Sequence, residues 1–145
     1  MEGIGMRISA RNVLAGKVKT VVKGAVNAEV TLALEGGEAV VAVITNSSAD
    51  SLGLEPGKLA YAVIKASEVM IGVGVAASTI SARNVLQGEI ANVQAGAVNS
   101  EVEVQLAGGT KVVASITKAS VERLQLHPGA KVSAIVKASN VLVGV

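Results

Sequence analysis

Val102, Val104 and Leu106 alternate with Glu103 and Gln105, and Val30, Leu32 and Leu34 follow the same rhythm earlier in the chain. A period of two sends one set of side chains to a buried face and the other to water, which predicts half-buried β-strands. Each run closes on a glycine pair, Gly36-Gly37 and Gly108-Gly109, suited to a hairpin turn. Further strands are predicted over AVVAVIT (39–45) and KVVASIT (111–117). NSSADSLGL (46–54) and KASVERLQL (118–126) then abandon the alternation and suit one or two helical turns, stopped by Pro56-Gly57 and Pro128-Gly129. Two more strands follow, at about 59–65 and 68–73 in the first half. ISARNVL (8–14) also reads as a strand. The order of three strands, a short helix and two strands is that of an OB-type barrel. The expected fold is therefore all-β, two tandem OB-like five-stranded barrels, each with one short helix.

The halves are copies. ISARNVL (8–14) returns at 80–86, GAVNAEV (24–30) as GAVNSEV (96–102), LEPG (54–57) as LHPG (126–129), and KASEVMIGV (65–73) as KASNVLVGV (137–145). No gap is needed, and roughly half of the paired positions are identical, the signature of an internal duplication. The expected units are 1–73 and 80–145, joined by GVAAST (74–79) as a short linker. Units this small sit near the lower limit for an independent core, so association of units and of chains is expected.

Composition narrows the picture in three ways. The apolar half of the chain is almost all Val, Ala, Leu and Ile, with one Tyr and no Phe or Trp, a β-branched core of little bulk. There are no cysteines, which removes disulfides and thiolate metal sites. A net charge of +2 is small, and single-strand binders stack bases on aromatic side chains, so a nucleic-acid partner is not expected. No apolar run has the length of a membrane span and MEGIGMRIS lacks a signal peptide's apolar stretch, so the expectation is a cytoplasmic protein without a membrane partner.

The candidate chemistry lies in repeated donors. Ser9 and Arg11 are two apart on an extended segment and project from one face; Lys65 and Ser67 have the same spacing. The second copy repeats these as Ser81 with Arg83 and Lys137 with Ser139. Each pair joins a cation to a hydroxyl with no acidic residue between them, and donors without a neighbouring acceptor are what a desolvated oxyanion needs. Converging pairs would make a doubly positive pocket for a tetrahedral dianion. The competing reading is that these cations simply face water near strand ends. Asn27 and Asn99 form a second constellation, pinning a turn or donating an amide to a ligand. Asn12 and Asn84 fall opposite the Ser–Arg face and read as structural. His127 has Glu55 as its counterpart, which argues against a shared site. No catalytic triad, metal cluster or phosphate loop can be assembled, so no enzyme is expected.

SARN, GAVN and IKAS, in this order in the first copy and nearly so in the second, resemble the molybdenum-pterin-binding-like (Mop/TOBE) domains, and two in tandem resemble the di-domain molbindins. The resemblance covers residues 6–145. It implies an OB-like fold, trimers of the di-domain chain, and molybdate or tungstate bound between domains. It further implies that Ser9, Arg11, Lys65, Ala66 and Ser67 hold oxyanion, with Ser81, Arg83, Lys137, Ala138 and Ser139 at a matching site. Asn27 and Asn99 would lie near a threefold-axis anion site. The implied role is intracellular molybdenum storage and homeostasis; the alternative is a molybdate-responsive sensor acting on a separate partner.

Overall fold

The computed structural model describes residues 6–145; residues 1–5, the start of the MEGIGMRIS segment, lie outside the described residues. In the first copy the strands are β1 (Asn12–Lys23), β2 (Asn27–Leu34), β3 (Ala39–Thr45), β4 (Leu59–Ile64) and β5 (Met70–Gly72), with helix α1 (Asn46–Ser51) between β3 and β4. The second copy supplies β6 (Asn84–Ala95), β7 (Asn99–Leu106), β8 (Lys111–Thr117), α2 (Lys118–Leu124), β9 (Lys131–Val136) and β10 (Leu142–Gly144). Single 3-10 turns at Ala66–Glu68 and Ala138–Asn140 precede β5 and β10.

The alternation seen in the sequence is the burial pattern. Val30, Leu32, Val102 and Val104 are fully enclosed, and one continuous aliphatic core runs through both copies. Thr45 and Thr117 end β3 and β8 and cap the helices, each side chain accepting a hydrogen bond from the backbone N–H of the residue three further on (3.0 Å to Ser48, 3.1 Å to Ser120).

Each long first strand serves two neighbours. Gly16 faces Leu34 of β2 on one side and Ala60 of β4 on the other, and Gly88 does the same with Leu106 and Val132. A Cβ at Gly88 would come within 2.6 Å of the Gln105 carbonyl oxygen, and one at Gly16 would collide with that of Ala33. Only glycine admits so close an approach. A register shift follows in each strand, between Val18 and Thr20 and between Ile90 and Asn92, and bends the sheet. Edge strand β3 thereby comes against β10 at the opposite edge, giving a curled, partly closed antiparallel sheet.

The sheets exchange strands. One has the order β10-β4-β1-β2-β3 and the other β5-β9-β6-β7-β8, so each five-stranded sheet takes its last strand from the opposite copy. The segment 74–79 follows β5 at that crossing, and its Val75 carbonyl accepts a hydrogen bond from Ser133 of β9 (3.1 Å). Sequence copies and folded sheets therefore have different boundaries. Periodicity carries no information on which sheet a three-residue strand joins.

Buried Asn12 and Asn84 tie the units together. Asn12 Nδ2 donates to the Val113 carbonyl (2.8 Å) while its Oδ1 accepts from the Val113 N–H (2.7 Å); Asn84 makes the same two bonds with Val41, both at 2.8 Å. Val113 and Val41 lie on edge strands β8 and β3, so each amide acts as a rung of a strand that is not there. Where the two glycine turns meet, the copies differ. The Glu38 carboxylate accepts from the Gly108 N–H (3.1 Å) and from Thr110 Oγ1 (2.8 Å), and Thr110 occupies the position equivalent to Glu38. Two carboxylates facing each other there would repel.

Candidate functional site

The conserved spacing of donors within each copy becomes spatial proximity because β1 pairs with β4 along Asn12–Ile64, and β6 with β9 along Asn84–Val136. The residues just before each first strand thus lie beside those just after each fourth strand. Two clefts result. A cleft of about 570 Å³ is lined by Ser9, Arg11, Lys65, Ala66 and Ser67, and by Ser139 and Asn140 from the second copy. Another, of about 420 Å³, is lined by Ser81, Arg83, Lys137, Ala138 and Ser139, with Val43 and Met70 from the first. Every residue of the two candidate oxyanion sets falls in the expected cleft, and Ser139 reaches both.

Two local expectations fail. Ser9 and Arg11 precede β1 instead of lying within it, so ISAR is not part of a strand. Asn12 begins the ladder because it is the first residue of the heptamer that finds a partner on β4. Lys65 and Ser67 are not an extended pair either: Lys65 opens the 3-10 turn and Ser67 lies inside it. The turn changes what the segment offers. Its carbonyls at Lys65 and Ala66 are taken by Glu68 and Val69, while the N–H groups of Ala66 and Ser67 find no acceptor among the described residues. Ala138 and Ser139 repeat the arrangement, with Asn140 and Val141 as donors. Ala66 and Ala138 are buried, which fixes the backbone that carries these donors.

The expectation of donors without a nearby acceptor also fails for the arginines. Arg11 makes an ion pair with Glu101, and Arg83 donates through both terminal nitrogens to Glu29, at 2.7 and 3.1 Å. Both pairs join opposite copies, which is why sequence spacing concealed them. The Arg83 hydrogen bonds hold the Glu29 carboxyl below its ordinary range and raise the guanidinium in turn. All four side chains are between 40% and 52% exposed, so water screens the pairs and each is weak. Lys65 and Lys137 have no ion-pair partner among the described residues. The clefts also contain a carboxylate, Glu68, in the first copy only. The recurrence of Glu in GAVNAEV and GAVNSEV was the one trace of the Arg–Glu pairs in the sequence.

Asn27 and Asn99 stand apart from both clefts, at the starts of β2 and β7. The Asn27 backbone oxygen closes its hairpin by accepting from the Gly24 N–H (2.7 Å), while the side chain that holds this turn is that of Asn46, donating to the Gly24 carbonyl (2.9 Å). Asn99 lines a shallow hollow with Gln94, Ser100 and Ser115. His127 approaches only the carbonyl of its neighbour Pro128, at 2.9 Å, outside both clefts. No group of acidic or histidine side chains able to hold a metal cation occurs among the described residues. No helix there is long and apolar enough to cross a membrane.

Paired, curled five-stranded sheets that exchange a strand, each with a cleft lined by Arg, Lys and Ser, define a class of compact β modules. The family can be stated: residues 8–71 and 80–143 each match the TOBE domain, and the chain belongs to that family. It is 45% identical over 137 residues to the molybdenum-pterin-binding protein MopA of Rhodobacter capsulatus, covering 94% of this chain and 52% of that protein. Over 142 residues it is 37% identical to the molybdenum transport protein ModE of Herbaspirillum seropedicae, covering 98% and 53%. The chain thus spans about half the length of these curated relatives. Among solved structures, the cytoplasmic molybdate-binding protein ModG, with molybdate bound, superposes with a TM-score of 0.91 at 48% identity, covering 97% of this chain and 99% of that one.

Proposed function

We propose that this chain binds molybdate, with tungstate as an equivalent ligand, and serves as an intracellular store or buffer of the oxyanion. The observation that carries the reading is the convergence, twice over, of an Arg, a Lys, at least two Ser residues and a 3-10 turn with free N–H groups on one small cleft. Such a set offers directed donors and positive charge, the chemistry that holds an oxyanion. Its likeness to the molybdate-binding protein ModG at 48% identity, over nearly the whole of both chains, supports the choice of anion. Ser9, Arg11, Lys65, Ala66 and Ser67 would hold one anion; Ser81, Arg83, Lys137, Ala138 and Ser139 would hold another. Asn27 and Asn99 would contribute to a further anion position in the assembly.

The finer reading is a homotrimer acting in the cytoplasm. Both clefts are open along one side, and Val22, Val26 and Val98 stand 63%, 68% and 73% exposed around the hairpin tips, apolar surface that association would cover. Native mass spectrometry should give three chains per particle, with molybdenum counted on the same sample. Isothermal titration of anion-free protein with molybdate should show saturable uptake, competed by tungstate. An absence of heat with both anions would remove the function.

A further inference from the structure

Both arginines that line the clefts are already held by carboxylates of the opposite copy. Glu29 lies on β2 and takes both terminal nitrogens of Arg83, while Glu101 on β7 takes Nη1 of Arg11. The arrangement is reciprocal and occurs at both clefts, so it belongs to the duplicated design and is not a chance surface contact. A guanidinium has five N–H donors in a fixed fork, and a two-pronged carboxylate occupies one edge of it. A tetrahedral dianion entering a cleft meets an arginine that already faces a carboxylate, through both terminal nitrogens at Arg83 and through Nη1 at Arg11. The remaining cleft cation in each case is a lysine, Lys65 or Lys137, without a carboxylate partner among the described residues. The arginine pairs are half exposed and therefore exchangeable, unlike a buried pair, whose rupture is costly.

We propose that Glu29 and Glu101 are affinity-setting residues, internal carboxylates that occupy Arg83 and Arg11 in the empty protein and are displaced when oxyanion binds. The inference rests on oxyanion binding in these clefts and adds the competitor against which it occurs. Each carboxylate keeps its arginine ordered and screened while the cleft is empty, and lowers the affinity of that cleft. The same competition speeds release, which suits a buffer that must give the anion up.

The test compares wild type with E29Q, E101Q and the double variant, by titration with molybdate. Glutamine keeps the size and an accepting oxygen but removes the charge. Each single variant should bind at least about two-fold more tightly at one class of site, the scale of a half-exposed charge pair, and the double variant at both. Unchanged or weaker binding by folded variants would overturn the proposal and make the glutamates positioning residues instead. A second measurement needs no variant: in the wild-type protein, saturating molybdate should shift the side-chain carboxylate ¹³C signals of Glu29 and Glu101 together with the Nε–H signals of Arg83 and Arg11. Arginine shifts without carboxylate shifts would equally overturn it. Wild-type uptake, read in the same titration, reports separately on the function itself. If wild type and variants all fail to take up molybdate, both readings fall together; if wild type binds and the variants do not gain, only this one does.

Discussion

Replacing Asn12 by alanine should cost about 2–4 kcal/mol of folding stability. The side chain is 2% exposed and makes three hydrogen bonds: to the Val113 carbonyl, from the Val113 N–H, and to the Ile64 carbonyl at 3.2 Å. Alanine leaves the N–H and C=O of Val113 on an edge strand facing a space too small for ready solvation. A buried polar group without a partner costs about 1–3 kcal/mol, and Val113 is only partly buried, which places the sum for two groups in the lower part of that doubled range. Asn12→Asp should be no better. Its carboxylate can still accept from the Val113 N–H but sets negative charge against two carbonyl oxygens. Asn84, bonded to Val41, should respond alike. Urea unfolding followed by far-UV circular dichroism is the suitable assay, because the chain has no Trp and a single Tyr. Protein concentration should be fixed, since association of chains would shift the midpoint. A loss below about 0.5 kcal/mol, the ordinary range for an indifferent surface site, would refute the view that these amides stand in for a missing strand.

Three further outcomes are expected. Gln125, at the end of α2, is the one non-glycine residue among the described residues with a positive φ (55°), where the first copy has Gly53; Gln125→Gly should raise stability by about 0.5–1 kcal/mol in the same assay. Glu29 has a lowered pKa, so its pair with Arg83 stabilises the fold above the ordinary glutamate range and loses that contribution as pH falls through the lowered value; the stability difference between wild type and E29Q should shrink toward zero on acidification. Lys137→Ala removes a cleft cation without an ion-pair partner, and titration should show weakened molybdate uptake at one class of site with little change in unfolding midpoint.

The candidate site was largely legible in the chain because duplication singled out the donors. Ser9, Arg11, Lys65 and Ser67 recur as Ser81, Arg83, Lys137 and Ser139, and all line the two clefts. Their backbone geometry was not legible, since Ser9 and Arg11 precede β1 and Lys65 opens a 3-10 turn. Ser67 and Ser139 sit in 3-10 turns, whose free N–H groups no alternation rule would reveal. The pairing of Glu29 and Glu101 with the arginines is not legible, because each meets its arginine from the other copy and a single sequence carries no record of pairs so far apart.

Sequence alone determined the strand set, the helix positions, the duplication and the residue types offered to a ligand. These depend on local periodicity, on turn residues and on composition, all of which are properties of neighbouring positions. Tertiary structure decided the exchange of β5 and β10, the amide rungs of Asn12 and Asn84, and the ion pairs that occupy the arginines. Each of these depends on which unpaired edge or charge lies nearest once the sheets have curled. ISARNVL thus divides by role: its Ser and Arg border a cleft, while its Asn completes a strand edge of the opposite copy.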